Sequence, residues 1–279
     1  MLKNKTVAFL GAGSMAEAMI SGMVQAEKVP ANQIIVTNRS NAERLNELET
    51  KYGIKGMKRE DLVFEDVDVF ILAMKPKDID VALHSIKTHL QPHQLLLSVL
   101  AGISTSYMED HLAQGQQVIR VMPNTSSMMG ESATAMSPGQ YTAMDNVMIA
   151  KDLLTCIGEV YTIDEEKMDI FTGIAGSGPA YFYYLMEHIE RAGAEEGLDP
   201  EMARQIGAQT ILGAAKMIME QDETPAQLRE NVTSPNGTTA AGLDALAKFG
   251  GGEAITQAVK GASKRSKEIS SQLQKVVNA

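Results

Sequence analysis

Short apolar runs alternate with amphipathic stretches along the first part of the chain, the rhythm of strands and helices in a parallel α/β sheet. Val7–Leu10 reads as a buried strand, Met15–Gln25 as a helix, Ile34–Thr37 as a second strand and Asn41–Lys51 as another helix. Val67–Ala73 is a third strong strand. A helix over Asp78–His89, a strand over Leu95–Val99, a helix near Ser104–Ala113 and a strand over Val118–Met122 follow. Strict alternation predicts right-handed crossovers with helices on both faces of the sheet.

Beyond about Asp164 the periodicity is helical, with almost no strand signal. The pattern therefore predicts an α/β domain over residues 1–163 and a separate all-helical domain over 164–279. Ser177-Gly178-Pro179 reads as a helix start, with Phe182, Leu185, Met186 and Ile189 on one stripe. Gly197 reads as a stop, Asp199-Pro200-Glu201 caps a second helix carrying Ile206, Gly207, Thr210, Ile211 and Ala214 on one stripe, and Thr224-Pro225 opens a third. Small residues here (Ala203, Gly207, Gly213, Ala214, Ala215) suit either packing within the chain or a subunit interface.

Composition narrows the function classes. A chain of 279 residues, 44% hydrophobic and 22% charged, is an ordinary globular composition with room for about two domains. A formal charge of −10 offers no field for polyanions, so nucleic acid is not an expected partner. No apolar stretch approaches the ~20 residues of a membrane span, and Met1–Thr6 has no signal-peptide architecture, so the expected location is the cytoplasm without membrane contact. The single cysteine, Cys156, excludes an intrachain disulfide and a cysteine-cluster zinc site. His89 and His93 are interrupted by Pro92, so no metal site is expected.

Gly11-Ala12-Gly13-Ser14-Met15-Ala16 follows the first strand and opens the first helix. That is the context of a dinucleotide fingerprint: a tight turn at Gly11, close approach to pyrophosphate at Gly13, and tight helix–sheet packing at Ala16, with helix N–H donors behind. After the second strand, Thr37-Asn38-Arg39-Ser40 lacks the carboxylate that would accept a ribose 2′-hydroxyl. Its guanidinium and hydroxyl suit a 2′-phosphate, which favours NADPH and leaves NADH open. The alternative is a solvated Arg39, with Asn38 and Ser40 capping the next helix. Ala73-Met74-Lys75-Pro76 and Val99-Leu100-Ala101-Gly102 end strands at the same carboxyl edge.

A second signal lies in Leu228–Leu243, where Asn231-Val232-Thr233-Ser234-Pro235-Asn236-Gly237-Thr238-Thr239 is a loop entering a helix. Such an N-terminus suits a carboxylate. With the glycine loop and Gly176-Ser177-Gly178-Pro179-Ala180-Tyr181, nearly the whole chain resembles the pyrroline-5-carboxylate reductases. The resemblance implies a Rossmann dinucleotide-binding domain followed by a helical domain that dimerises, with dimers assembling further into rings. It implies hydride transfer from NAD(P)H to the imine carbon of Δ1-pyrroline-5-carboxylate, giving L-proline. Carried over by position, the cofactor residues are Leu10, Gly11, Ala12, Gly13, Ser14, Met15, Asn38, Arg39, Ser40, Ala73, Met74, Lys75, Pro76, Val99, Leu100 and Ala101, with Glu165 as an acidic position beside them. The substrate stretch is Asn231, Ser234, Gly237, Thr238 and Thr239, and Thr239 is the catalytic position, orienting the ring nitrogen.

Two departures stand out: Asn236 replaces a family glycine, and Ser126 replaces a proline in Met122-Pro123-Asn124-Thr125-Ser126. Asn is the least costly non-glycine residue if position 236 needs positive φ. A protonated cyclic imine needs no strong base, so His188, in mid-helix, reads as packing or surface. Two rivals remain: a β-hydroxyacid dehydrogenase, which would require Lys216 to act without a supporting motif, and a non-catalytic dinucleotide-binding regulator.

Overall fold

The computed structural model describes residues 2–277, with side chains through 272. Its strands are β1 (Val7–Leu10), β2 (Ile34–Asn38), β3 (Lys55–Lys58), β4 (Val69–Leu72), β5 (Leu95–Ser98), β6 (Gln117–Met122), β7 (Ser132–Pro138) and β8 (Gly158–Thr162). They form one sheet in the order β3-β2-β1-β4-β5-β6-β7-β8. β1 to β6 pair in parallel, β7 runs antiparallel to β6, and β8 is parallel to β7. The helices over this part are α1 (Ser14–Gln25), α2 (Ala42–Tyr52), α3 (Ile79–Ile86), α4 (Thr105–His111), α5 (Met144–Leu154) and the single turn α6 (Met168–Phe171).

β1 and β4, at the centre of the sheet, are apolar at every position because both sheet faces are covered. Successive residues of β1 divide between two cores: Val7 and Phe9 pack with Met19 and Ile20 of α1, Leu48 of α2 and Leu153 of α5, whereas Ala8 and Leu10 pack with Leu83 of α3 and Met108 of α4. Each fully buried Val, Leu, Ile, Phe or Met among them contributes about 1.5–3 kcal/mol. Helices on both faces are thus present as expected. Local chemistry sets their ends: Asn41 accepts from the Arg44 N–H at 2.9 Å to start α2, and Gly53 (φ 68°) ends it.

Between β6 and residue 164 the hydrophobic pattern predicts no element, yet β7, α5 and β8 occupy this stretch. The antiparallel β7 also breaks the expected strict alternation. Its buried positions include Ser132, Thr134 and Ser137, whose hydroxyls are satisfied internally, with Thr134 Oγ1 on Ser132 Oγ at 2.9 Å and Ser137 Oγ on the Ile163 carbonyl at 2.7 Å. A strand built from small hydroxylated residues has little hydrophobic signature.

The described chain separates into two compact units, one of residues 2–176 with the chain from 261 on, the other Ser177–Lys260. The second contains α7 (Gly178–Glu195), α8 (Pro200–Glu220), α9 (Pro225–Asn231), α10 (Thr238–Lys248) and the start of α11 (Gly251–Val277). Asp199 caps α8 through the Met202 N–H at 3.0 Å, and Thr224 with Gln227 forms a capping box on α9. α7 and α8 form a hairpin, tied by Arg204 to Glu190 at 2.7 Å. The apolar stripes of this unit are not a core within the chain: Phe182 is 55% exposed and Ile206 52%. Among the described residues no helix is long and apolar enough to cross a membrane.

One polar cluster joins α1 to α2. Glu17 accepts from Lys51 at 2.8 Å, from the Tyr52 hydroxyl at 3.0 Å and from Arg44. Lys51 first, and then Arg44, hold its carboxyl down from 4.5 to about 2. A depressed pKa contributes stability that is complete above 4.5 and lost as pH falls through about 2. Glu17→Gln should therefore lower the melting temperature at neutral pH, and the gap from the parent should narrow below pH 4.5 and close near pH 2. Thermal melts across this range check it; a gap independent of pH would refute the ionic contribution.

Candidate functional site

At the carboxyl edge of β1, β2, β3 and β4 lies a cleft of about 640 Å³. Gly11, Ala12, Gly13, Ser14 and Met15 form its floor; Asn38, Arg39 and Ser40 form one wall; Ala73, Met74 and Lys75 form the other. Of the cofactor positions implied by the resemblance, these eleven line it. Leu10, Pro76, Val99, Leu100, Ala101 and Glu165 do not. Leu10 is buried in the sheet, and Val99 to Ala101 follow β5, the next strand along, where the Val99 N–H donates to Leu72 at 3.1 Å. Glu165 is committed elsewhere: its carboxylate accepts from the Thr105 N–H at 3.0 Å, the Thr105 hydroxyl at 2.5 Å and the buried Arg120 at 3.1 Å.

The two glycines of the loop have different reasons to be glycine. Gly11 has φ +125°, and a Cβ there would stand 2.4 Å from the Ala73 carbonyl oxygen, so the fold itself forbids a side chain. Gly13 has φ −76° and ψ −179°, which any residue adopts, and the nearest heavy atom to an added Cβ is 3.9 Å away. Nothing in the protein requires glycine at 13. A side chain there would instead stand on the floor of the cleft, which fits a ligand that approaches the backbone closely. α1 begins at this point with no side-chain cap, so its first-turn N–H groups face the cleft without intrahelical acceptors.

The outer wall is cationic. Asn38 Oδ1 accepts from the Ser40 and Asn41 N–H groups at 3.1 and 3.2 Å, which folds the loop that carries Arg39 and Ser40. Arg59 lines the same cleft. The register pairs Asn38 with Lys58, so Arg39 and Arg59 leave adjacent parallel strands side by side. Burial, and then the charge of Arg39, lower the Arg59 pKa from its ordinary value. Among the described residues neither guanidinium has an ion-pair partner, whereas Arg44, Arg120, Arg191, Arg204 and Arg265 each have one. Two unneutralised guanidinia on one wall of an acidic protein suit a multiply charged anion.

Sequence reasoning missed Arg59, together with Lys77, Asp78 and Val81 on the cleft rim. Lys55-Gly56-Met57-Lys58 is polar and glycine-interrupted and does not read as a strand. The usable signal was positional: the residue after any parallel strand neighbouring β2 reaches the same edge.

In the second unit, α9 ends at Asn231 and the chain turns through Ser234, Asn236 and Gly237 into α10. Thr233 Oγ1 donates to the Arg229 carbonyl at 2.6 Å and the Gly237 N–H to Ser234 at 3.0 Å. Asn236 has φ +58°, so it sits in the left-handed conformation in which asparagine replaces glycine at least cost. Gly237 is the N-cap of α10 and offers no capping side chain, leaving the N–H groups of Thr238 and Thr239 without intrahelical acceptors. Asn231, Ser234, Gly237, Thr238 and Thr239 are therefore gathered at one loop and helix start.

Comparison with known proteins agrees with both halves. Residues 165–269 match the family model described as pyrroline-5-carboxylate reductase dimerisation, and residues 6–102 match that described as NADP oxidoreductase coenzyme F420-dependent. The chain is 66% identical over 271 residues to pyrroline-5-carboxylate reductase 1 of Bacillus subtilis, covering 97% of this chain and 91% of that protein. It is 36% identical to the Arabidopsis thaliana pyrroline-5-carboxylate reductase, covering 95% of each. Among solved structures, the pyrroline-5-carboxylate reductase of Coxiella burnetii superimposes with a TM-score of 0.87 at 30% identity over 96% of this chain and 99% of that one. The Plasmodium falciparum pyrroline carboxylate reductase, solved with NADP bound, gives 0.86 at 27% identity over 97% and 100%. The chain belongs to the pyrroline-5-carboxylate reductase family.

Proposed function

We propose that this protein reduces Δ1-pyrroline-5-carboxylate to L-proline with NADPH, in the cytoplasm and as a homodimer. The near full-length 66% identity to a Bacillus subtilis pyrroline-5-carboxylate reductase carries the reaction. The unpaired Arg39 and Arg59 carry the cofactor preference.

Gly11 to Met15 hold the pyrophosphate through backbone N–H groups, and Arg39, Ser40 and Arg59 take the 2′-phosphate. Bound there, the reduced nicotinamide supplies the hydride. The start of α10 takes the substrate carboxylate, with Ser234, Thr238 and backbone N–H groups as donors, and Thr239 orients the imine nitrogen. A protonated imine is already electrophilic, so these residues act by positioning, which can contribute several kcal/mol. The acidic chain needs no global field for two anionic ligands, because helix N-termini and local guanidinia supply it.

The dimer follows from the second unit's lack of an interior. Of its apolar side chains, only Ala203 is buried, while Tyr184, Met219 and Phe249 are 64%, 74% and 83% exposed. Apolar surface on this scale is covered in a stable protein, and a second copy of the same unit presents the same surface.

Purified protein should oxidise NADPH in the presence of pyrroline-5-carboxylate, followed by absorbance; binding without turnover would favour a regulator instead. Thr239→Ala should lower kcat/KM about fivefold, the effect of about 1 kcal/mol for one neutral hydrogen bond, and an unchanged value would remove Thr239 from the mechanism. Arg39→Ala and Arg59→Ala should each raise KM for NADPH while leaving KM for NADH unchanged, and equal effects on both cofactors would refute the 2′-phosphate contact. Urea unfolding of the second unit should shift to higher midpoint with protein concentration, as an obligate dimer requires, and a concentration-independent midpoint would refute it.

A further inference from the structure

Arg44 lies outside the cleft, yet its guanidinium reaches the loop that forms the floor. Nε donates to the Ala12 carbonyl oxygen at 3.1 Å, one Nη pairs with Glu47 at 2.7 Å, and the other pairs with Glu17. Its own backbone N–H is held by Asn41 at 2.9 Å in the first turn of α2, so both ends of the residue are fixed. Glu17 is in turn held by Lys51 at 2.8 Å and by the Tyr52 hydroxyl at 3.0 Å. The planar fork therefore has a single orientation, with Nε donating to the phosphate loop.

The consequence follows from peptide geometry. There is no cis bond among the described residues, and in a planar trans peptide the carbonyl and the following N–H point in opposite directions. Arg44 does not line the cleft, whereas Ala12 and Gly13 do. Drawing the Ala12 carbonyl towards Arg44 turns the Gly13 N–H the other way. That N–H has no acceptor among the described residues. Gly13, without a side chain and with few neighbours, is also the residue at which this peptide plane would rotate most freely if nothing held it.

We propose that Arg44 is a positioning residue for cofactor binding: by clamping the Ala12 carbonyl it presets the Ala12–Gly13 peptide with its N–H aimed at the pyrophosphate of a bound dinucleotide. This rests on the reading of the cleft as a nicotinamide-cofactor site. The target is the pyrophosphate, common to NADPH and NADH, and so the clamp is independent of the 2′-phosphate wall. Glu17 and Glu47 orient the guanidinium, and Arg44 touches no ligand itself.

Lysine at position 44 keeps the charge but, as a point donor, cannot serve Glu17, Glu47 and Ala12 together. Arg44→Lys and Arg44→Met should both weaken binding of NADPH and NADH by the same factor, about tenfold, measured by fluorescence titration of each cofactor without substrate. KM for pyrroline-5-carboxylate and kcat at saturating cofactor should change less than twofold, a split that general loosening of the fold would not give. Arg44→Lys is the variant expected to stay folded, and its titration decides the question if Arg44→Met does not. Unchanged cofactor affinity in folded Arg44→Lys overturns the proposal, as does a loss confined to NADPH. Wild-type protein that binds neither cofactor would overturn the cleft reading, and the clamp with it.

Discussion

The parallel pairing of β1 between β2 and β4 is the constraint on which the site depends. Register fixes Leu10 beside Thr37 on one side and beside Leu72 on the other. The residues just beyond these positions, Gly11, Asn38 and Ala73, therefore emerge at one edge. The approach is so close that a Cβ on Gly11 would overlap the Ala73 carbonyl. Two buried faces hold this register, because a slip by one residue would exchange the two sets of side chains that the cores divide between them. Core packing, glycine choice and cleft geometry are one set of requirements.

On that scaffold, arginines do two kinds of work, and pairing distinguishes them. Arg44 and Arg120 are partly or wholly buried and neutralised by carboxylates, and each joins separate elements: Arg44 ties α2 to α1 and the glycine loop, while Arg120 ties β6 to Glu165 and through it to the start of α4. Arg39 and Arg59 face the cleft beside one another without carboxylates. In a chain with a formal charge of −10, two adjacent guanidinia without ion-pair partners concentrate positive potential at one place. Desolvation of Arg59 and its repulsion by Arg39 are costs that a bound anion would offset.

The strands that carry the cleft floor were legible because their apolar runs are continuous, and the glycine loop was legible because it stands between such a run and a helix. Arg59 was hidden by the polarity of β3, an edge strand that packs little against the cores. The stretch from β7 to β8 was hidden for a different reason: Ser132, Thr134 and Ser137 are buried through internal hydrogen bonds rather than by apolarity, and a hydrophobic pattern cannot register that. At Glu165 the sequence shows a position and the structure adds its contacts. Its place in the sequence is recognisable, but its oxygens are already committed to Thr105 and Arg120. At Asn236 the structure meets the condition that the residue type left open, a positive φ of +58°.

The helical unit separates two readings that periodicity alone leaves equal. Internal packing and a subunit interface both require apolar or small residues at helical spacing. In the structure, part of the small-residue set serves the hairpin: an added Cβ on Gly207 would lie 2.7 Å from the Met186 side chain, and one on Gly193 would lie 3.0 Å from Ala203. Gly213 has no such neighbour within 4 Å. The large side chains are distributed the other way, with Phe182, Tyr184, Ile206 and Met217 outside the hairpin contact. Small residues bring α7 and α8 together, and the bulky ones are left on the outside. A hairpin closed by glycine and alanine buries too little apolar area to stabilise itself, so its folding free energy must come largely from what covers those outward side chains. Folding of this unit is then coupled to whatever covers those side chains.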